Sequence, residues 1–430
     1  MTEKTKVNAR SSAVEAMSKD WPMLNALMGG TRTMREAGKA FLPQFPAESE
    51  EKYQRRLSVS VLHPVFQRTV QVMAARPFVQ PMTFDPEVLP ASIAMLAENC
   101  DRNRSSLDEY FADRFVECLA KGITGVLVDH TEQNARTVEE QKRLGARPYF
   151  CTYPAESILG FREEGGRLSQ IRLLEHHTEP DGDFGEKVIE QVRVLEPGSW
   201  KIYRKTEKDE WVVFDEGITT IDFVPFVFLY GFKKGFGIGV SPLLELAYQN
   251  VEHWQSCSDQ QNILHVARVP VLLLKCLGND TVKVSSDSAL ETENKDADAR
   301  WIEHSGVAIG AGNASILALE DRMQQSGAEL LVKRPGNTTA TQVLSENESN
   351  ESLLQRIVEE FENGVSRCLE FAALWTGNKF TPNVGISKYF SINPDPSDMN
   401  NILSAFAAGI VTKDMVLKEM TRRGLIVSDA

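Results

Sequence analysis

The string most like a ligand-binding motif is GFGIGV, residues 235–240. Glycine loops ahead of a helix can cradle phosphate on backbone N–H groups. The string lacks the GxGxxG register and a Walker lysine after its last glycine, and Lys233 and Lys234 precede it, so its plain alternative is a flexible strand-to-helix joint. His176 and His177, flanked by Glu175 and Glu179, are metal-ligating types, but neighbours on a strand point to opposite faces. His253 and His265 lie three turns and more apart on one helix, too far to share an ion, and no HExxH-type spacing occurs. The cysteines at 100, 118, 151, 257, 276 and 368 form no CxxC pair, which fits reduced, mostly buried thiols. Counting does not exclude a Cys/His pair, yet no family-like context surrounds any cysteine. The string GVSPL fails as a nucleophile elbow at its last glycine. Acidic residues between 280 and 303 (Asp280, Asp287, Glu291, Glu293, Asp296, Asp298) lack the order of a calcium loop and read as a solvated or partner-facing run. The expectation is a chain with no catalytic residue, no metal and no cofactor. The alternative is an intracellular enzyme binding a phosphorylated ligand on the loop from Gly235 to Gly239.

The elements that must position these residues change character along the chain. The first 80 residues read as helical, with short helices over 53–62 and 64–75. A clearer helix follows Ser106, which forms a capping box with Glu109, and it ends at Gly122; Leu107, Tyr110, Phe111, Phe115, Cys118 and Leu119 mark its buried face. From 123 to 231 the period becomes two. Strands are expected at 123–129, 147–153, 167–175, 187–195, 199–204, 211–215 and 224–230, with turns at Gly165-Gly166 and 181–185. Ser241-Pro242 then opens a helix to about 268, roughly 40 Å long. Its ends carry apolar faces, but 255–262 is almost wholly polar, so that span is expected either to bridge solvent or to pack in a polar contact between subunits. After Pro270 comes an excursion with a strand holding Gly306, Gly310 and Gly312. A second helix follows over 314–332, then the polar loop 333–341, and a third helix reaching about Trp375. A strand near 386–392 and helices at 396–408 and 413–423 complete the reading.

The 430 residues exceed one ordinary core, and 42% hydrophobic with 25% charged residues excludes wholesale disorder. Lys and Arg number 47 against 60 Asp and Glu, a net charge of −13, which argues against a protein that coats nucleic acid through cationic surface. Residues 1–80 hold 12 Lys+Arg and 7 Asp+Glu, leaving the excess of acid to the rest. No stretch reaches about 18 apolar residues, so no membrane partner is expected and a soluble intracellular product is.

Two long helices bracketing a small excursion, a polar loop, then a third long helix, all after a β-rich block, resemble the portal protein of tailed bacteriophages. The strings that carry the resemblance are YQRRLSVSVLHPVFQRTVQVMAARPF, GIGVSPLLELAYQNVEHWQSCSDQQNILHVARVPVL and NPDPSDMNNILSAFAAGIVTKDMVLKEMTRRGLI. They look like an uncharacterised phage portal-like family. The resemblance implies an α+β fold with a β-rich wing, long stem helices, a small α/β clip and a short crown of C-terminal helices. It divides the chain into a helical part of the wing at 1–122, a β-rich wing module at 123–231, and a first stem helix at 241–269. The clip follows at 270–312, the second stem helix at 313–332, and the tunnel-loop region at 333–341. A long helix at 342–378 and the C-terminal part at 379–430 end it. It further implies a virion protein, a ring of twelve subunits at one capsid vertex, with host cytoplasm as the place of assembly. Double-stranded DNA would pass through it, and a terminase motor, a head-tail adaptor and capsid or scaffolding protein would dock on it. Lys333, Arg334 and Asn337 would face the DNA channel, Gln255, Asp259 and Gln260 would meet the next subunit, and Asp287, Glu291 and Glu293 would face the adaptor.

Overall fold

The computed structural model describes residues 6–84, 90–131, 147–267, 271–275, 296, 298–302, 307–328, 352–380, 382–388, 390, 403, 404, 406–408, 412, 413 and 416. Two compact units divide the chain: a smaller one of Gly29–Pro64 and Tyr248–Gln325, and a larger one of Met1–Met28, Val65–Ala247 and Ser326–Ala430. In chain order the helices are α1 (Ser12–Ser18), α2 (Trp21–Met28), α3 (Gly30–Ala37), α4 (Glu50–Val59), α5 (Val65–Ala75), α6 (Ala91–Ala94), α7 (Leu107–Lys121), α8 (Leu244–Ala267), α9 (Val307–Ala328) and α10 (Leu353–Trp375). The strands are β1 (Thr83–Phe84), β2 (Ile123–His130), β3 (Pro148–Pro154), β4 (Ile158–Glu164), β5 (Arg167–Asp181), β6 (Gly185–Glu196), β7 (Ser199–Lys205), β8 (Trp211–Ile218), β9 (Phe226–Tyr230), β10 (Phe232–Gly235), β11 (Ile238–Val240), β12 (Val271–Lys275), β13 (Asp298–Ile302) and β14 (Val384–Gly385). The chain is therefore a mixture of helix and sheet, compatible with the α+β expectation.

The larger unit is built on a three-stranded antiparallel sheet, β3-β2-β9, with α7 and α10 packed against it. Ile123–Val128 and all of β9 are buried, so these strands read as unbroken apolar runs rather than alternating ones. The capping box expected at Ser106 and Glu109 starts α7, and Gly122 ends it at φ +89°. A side chain at Gly122 would collide with the backbone of Val240 and Ser241, so glycine is required there for conformation and for space. The helix α10 has its own capping box, Ser352 with Gln355, and lays Leu354, Ile357, Phe361, Val365, Cys368 and Ala372 on the core. At its far end Trp375 Nε1 donates to Val128 O of β2, at 2.7 Å. The helix that reaches Trp375 therefore starts at Leu353, and residues 342–351 of the expected span lie outside those described.

The second sheet is a five-stranded antiparallel meander in sequence order, β4-β5-β6-β7-β8, joined by turns at Gly165-Gly166 and after Asp181. β4 is an addition to the strands read from sequence. β5 and β6 run longer than expected, pairing from Ile171 with Leu195 out to Asp181 with Gly185. β1 pairs with β14 at Val384–Gly385, just ahead of the strand expected near 386–392, of which 389, 391 and 392 lie outside the described residues.

In the smaller unit β12 and β13 form a two-stranded antiparallel hairpin, Val271 opposite Ile302. The second long helix begins at Val307, seven residues ahead of the expected start. Gly310 and Gly312 therefore lie in a helix, not a strand. Among the described residues no helix is long and apolar enough to cross a membrane.

Candidate functional site: the polar seam of the smaller unit

The helix α8 is apolar at its ends and polar in the middle, and the middle is where the smaller unit concentrates its buried polar groups. His253, Ser258 and Gln260 are 3%, 2% and 7% exposed, against an expectation that this span faces solvent or another subunit. Within the mid-span Ser258 and Gln260 are covered by their own chain, because α4, the segment after it and α9 bring matching donors and acceptors, while Gln261 and Asn262 face outward as expected.

From the N-terminal side comes Arg56. It sits on the inward face of α4 with Tyr53 and Leu57, and its guanidinium grips Glu48 with two bonds, Nε to Oε1 at 2.9 Å and Nη2 to Oε2 at 2.8 Å. Nη2 also donates to Pro43 O at 2.8 Å, Nη1 to Ser258 Oγ at 3.3 Å, and the group lies 4.3 Å over the Phe45 ring. Ser60 Oγ lies 3.0 Å from Ser258 Oγ, and Asn250 Nδ2 donates to His63 O at 2.9 Å. The rings of His63 and His253 are 5.3 Å apart.

From the C-terminal side comes α9. Gln260 Nε2 donates to Ile309 O and to Asn313 Oδ1, both at 3.0 Å, while His253 Nε2 lies 3.0 Å from Glu320 Oε1. Gly312 makes room for the Gln260 amide: a Cβ there would overlap its oxygen. Such groups are tolerated in an interior only when partnered; the bonds above supply those partners, while Tyr53 Oη and Trp254 Nε1 are buried without one among the described residues.

The three residues expected to meet a neighbouring subunit have intrachain engagements here. Gln255 Nε2 donates to Phe41 O at 3.0 Å, Gln260 is bound as above, and Asp259 Oδ1 makes a longer approach of 3.9 Å to Arg56 Nη1. Asp259 remains half-exposed, and burial of the rest of the group pushes its carboxyl up against the pull of Arg56. Lys333, Arg334 and Asn337, and likewise Asp287, Glu291 and Glu293, lie outside the described residues.

The seam includes a Cys/His approach, Cys257 Sγ to His253 Nε2 at 3.6 Å. Burial, then the Glu320 charge, push the Cys257 thiol up, which is the opposite of what an activated nucleophile needs. Cys100 and Cys151 are likewise pushed up to about 12 by burial. Among the described residues no group of three or more His, Cys, Asp or Glu is placed to hold a metal ion.

The glycine string does not form a phosphate cradle. Its residues make the hairpin β10–β11, Phe232 opposite Val240, and two of its glycine N–H groups are already used. Gly237 N donates to Tyr230 Oη at 2.8 Å and Gly239 N to Met17 Sδ at 3.4 Å. Gly237, at φ +65°, leaves space for the Phe161 ring, and Gly239 lies against the Gly122 backbone. Close packing explains these glycines, and the phosphorylated-ligand reading loses its site. His176 and His177 are both exposed on β5, while Glu175 is taken by Gln191 at 2.7 Å and Arg193 at 2.6 Å.

Residues 242–376 match the model of a family described as a domain of unknown function, DUF4055. That span holds α8, the β12–β13 excursion, α9 and α10, so the seam's helical half lies inside it and Arg56 outside. No curated protein matches the chain. Among solved structures the chain is similar to a component of the neck of an empty GTA particle computed with C6 symmetry, at 13% identity and a TM-score of 0.43, covering 84% of this chain and 90% of that one. A chain from the virion of a native gene transfer agent particle gives 12% and 0.42, covering 91% and 98%. One from the neck of a native GTA particle computed with C12 symmetry gives 12% and 0.42, covering 82% and 88%.

Proposed function

We propose that this chain is the subunit of a portal ring at one vertex of a phage-like head. Double-stranded DNA is packaged and ejected through the ring, and motor and head-tail adaptor proteins dock on it. The observation that carries the reading is the order α8, β12–β13, α9: helices of 24 and 22 residues, roughly 36 and 33 Å long, bracketing a small hairpin. In a ring those helices are the stem and the hairpin belongs to the clip. The seam holds the two stem helices in one register, because Gln260 ties the middle of α8 to the first turns of α9.

Charge supports the same reading. Twelve copies at −13 each carry about −156. DNA presents one negative charge about every 1.7 Å, and a cationic wall would hold it by releasing its counterions. An acidic wall repels the duplex and lets it slide, with Lys333 and Arg334 left to make brief phosphate contacts and Asn337 beside them.

Native mass spectrometry of the purified chain, with electron microscopy of the same sample, is expected to show closed rings of about twelve copies. A species that stays monomeric, even with its head partners present, would overturn the reading. Lys333→Glu with Arg334→Glu is expected to leave ring assembly intact and to lower the DNA packaged per head. Unchanged packaging would remove these two residues from the channel.

A further inference from the structure

The β5–β6 hairpin outgrows its own sheet. β4 pairs with β5 only as far as Leu173, and β7 pairs with β6 only from Gln191 onward. Residues 176–181 and 185–190 therefore pair with each other alone, a two-stranded arm about 20 Å long at roughly 3.4 Å per residue. Both of its outer edges lack a strand partner among the described residues. Such a ribbon is marginal in water by itself, and free edges invite pairing or docking. Its base is braced: Arg204 donates to Glu179 at 2.8 Å and to Gln191 at 3.0 Å, and Arg193 binds Glu175. Its tip is not. Phe184 is 100% exposed and Val188 60%. The arm's ion pairs end at Glu179, and none reaches Asp181, Asp183 or Glu186 among the described residues.

A surface of the opposite kind exists on the same chain. Lys52, Arg55 and Val59 recur at i, i+3 and i+7 on α4, one stripe of the helix, and Val61 follows directly. All four are exposed, the valines at 56% and 59%. The α4 region pairs Lys39 with Glu50 and Arg56 with Glu48, but Lys52 and Arg55 have no carboxylate partner among the described residues.

We infer that the β5–β6 arm of one copy docks on the Lys52–Val59 stripe of a second copy of this chain, Phe184 and Val188 against Val59 and Val61, and Asp183 and Glu186 against Lys52 and Arg55. The inference rests on the ring reading and names one of its contacts. Arm and stripe are different surfaces, so the contact is head-to-tail, the kind that closes into a ring when the rotation allows it. Exposed charge of both signs makes the contact sensitive to salt.

The test places the photo-reactive residue p-benzoylphenylalanine at Phe184 in the full chain, mixes light and heavy-nitrogen-labelled copies, and maps cross-links by mass spectrometry. Hybrid light–heavy products on residues 50–61 are expected. Lys52→Glu with Arg55→Glu, or Asp183→Lys with Glu186→Lys, should each lower that yield about tenfold, and combining all four should restore it. These positions are exposed, so an unchanged circular dichroism spectrum is expected in every variant. Rings that cross-link elsewhere, within one chain only, or not at all overturn the arm contact and leave the ring reading standing. A chain that forms no rings overturns both.

Discussion

Replacing Arg56 by alanine is expected to destabilise the smaller unit by about 3 kcal/mol. The side chains of Arg56 and Glu48 are 5% and 8% exposed, and one guanidinium serves Glu48, Pro43 O and Ser258 Oγ at once. Alanine leaves a buried carboxylate without its cation and takes one donor each from Pro43 O and Ser258 Oγ, of which Ser258 keeps Ser60 Oγ, a larger loss than the pair's net worth. Arg56→Lys is expected to recover only part of it, since a single ammonium cannot reproduce the two-pronged grip on Glu48. Glu48→Leu with Arg56→Met should recover most, because neither charge is then stranded. The pH dependence has a definite sign. The hydrogen bond from Arg56 holds the Glu48 carboxyl below its ordinary value of 4.5. Its contribution is therefore complete above that value and is lost as pH falls through the lowered one. The gap between wild type and Arg56→Ala should be constant around neutrality and narrow in acid. Denaturant melts at both pH values, with hydrogen exchange locating the loss in α4 and α8, measure it. A gap below about 1 kcal/mol at neutral pH would mean that the pair behaves as a surface one.

The contact between Arg56 and Ser258 shows where reading by pattern ends. Arg56 and Ser258 are separated by 202 residues, and no periodicity links them. The available signal was local: an arginine beside Tyr53 and Leu57 on the buried face of a short helix. The polar span of α8 was legible as unusual, but its explanation was not, because the partners sit on α4 and α9. Caps were legible where flanking chemistry agreed, as at Ser106 and Glu109. The equivalent Ser352 and Gln355 were hidden behind Glu346, Glu348 and Glu351, which read as earlier helix. The outer half of the β5–β6 hairpin carries no strand signal for a physical reason. Its side chains are nearly all exposed, so the alternation that marks a half-buried strand is absent. Gly310 and Gly312 look like breakers, yet helix α9 tolerates Gly312 where an approaching amide needs the space.

Phe361→Ala is expected to cost the larger unit about 4 kcal/mol. Phe361 is wholly buried on α10 and meets three rings edge-on: Phe115 at 4.9 Å, Phe111 at 6.2 Å and Phe78 at 6.3 Å. Truncation removes the ring's transfer free energy and its edge-to-face contacts together. The cavity has little freedom to collapse. One turn further on, Gly364 already lies against Leu229 of β9, and Trp375 fixes the end of α10 to β2. Phe361→Leu, which fills most of the space, should cost about 1–1.5 kcal/mol. The loss is expected in amides of α7, α10, β2 and β9, whereas Arg56→Ala exposes those of α4 and α8, so hydrogen exchange separates the two variants. If Phe361→Ala instead cost no more than Phe361→Leu, α10 would be free to close on α7.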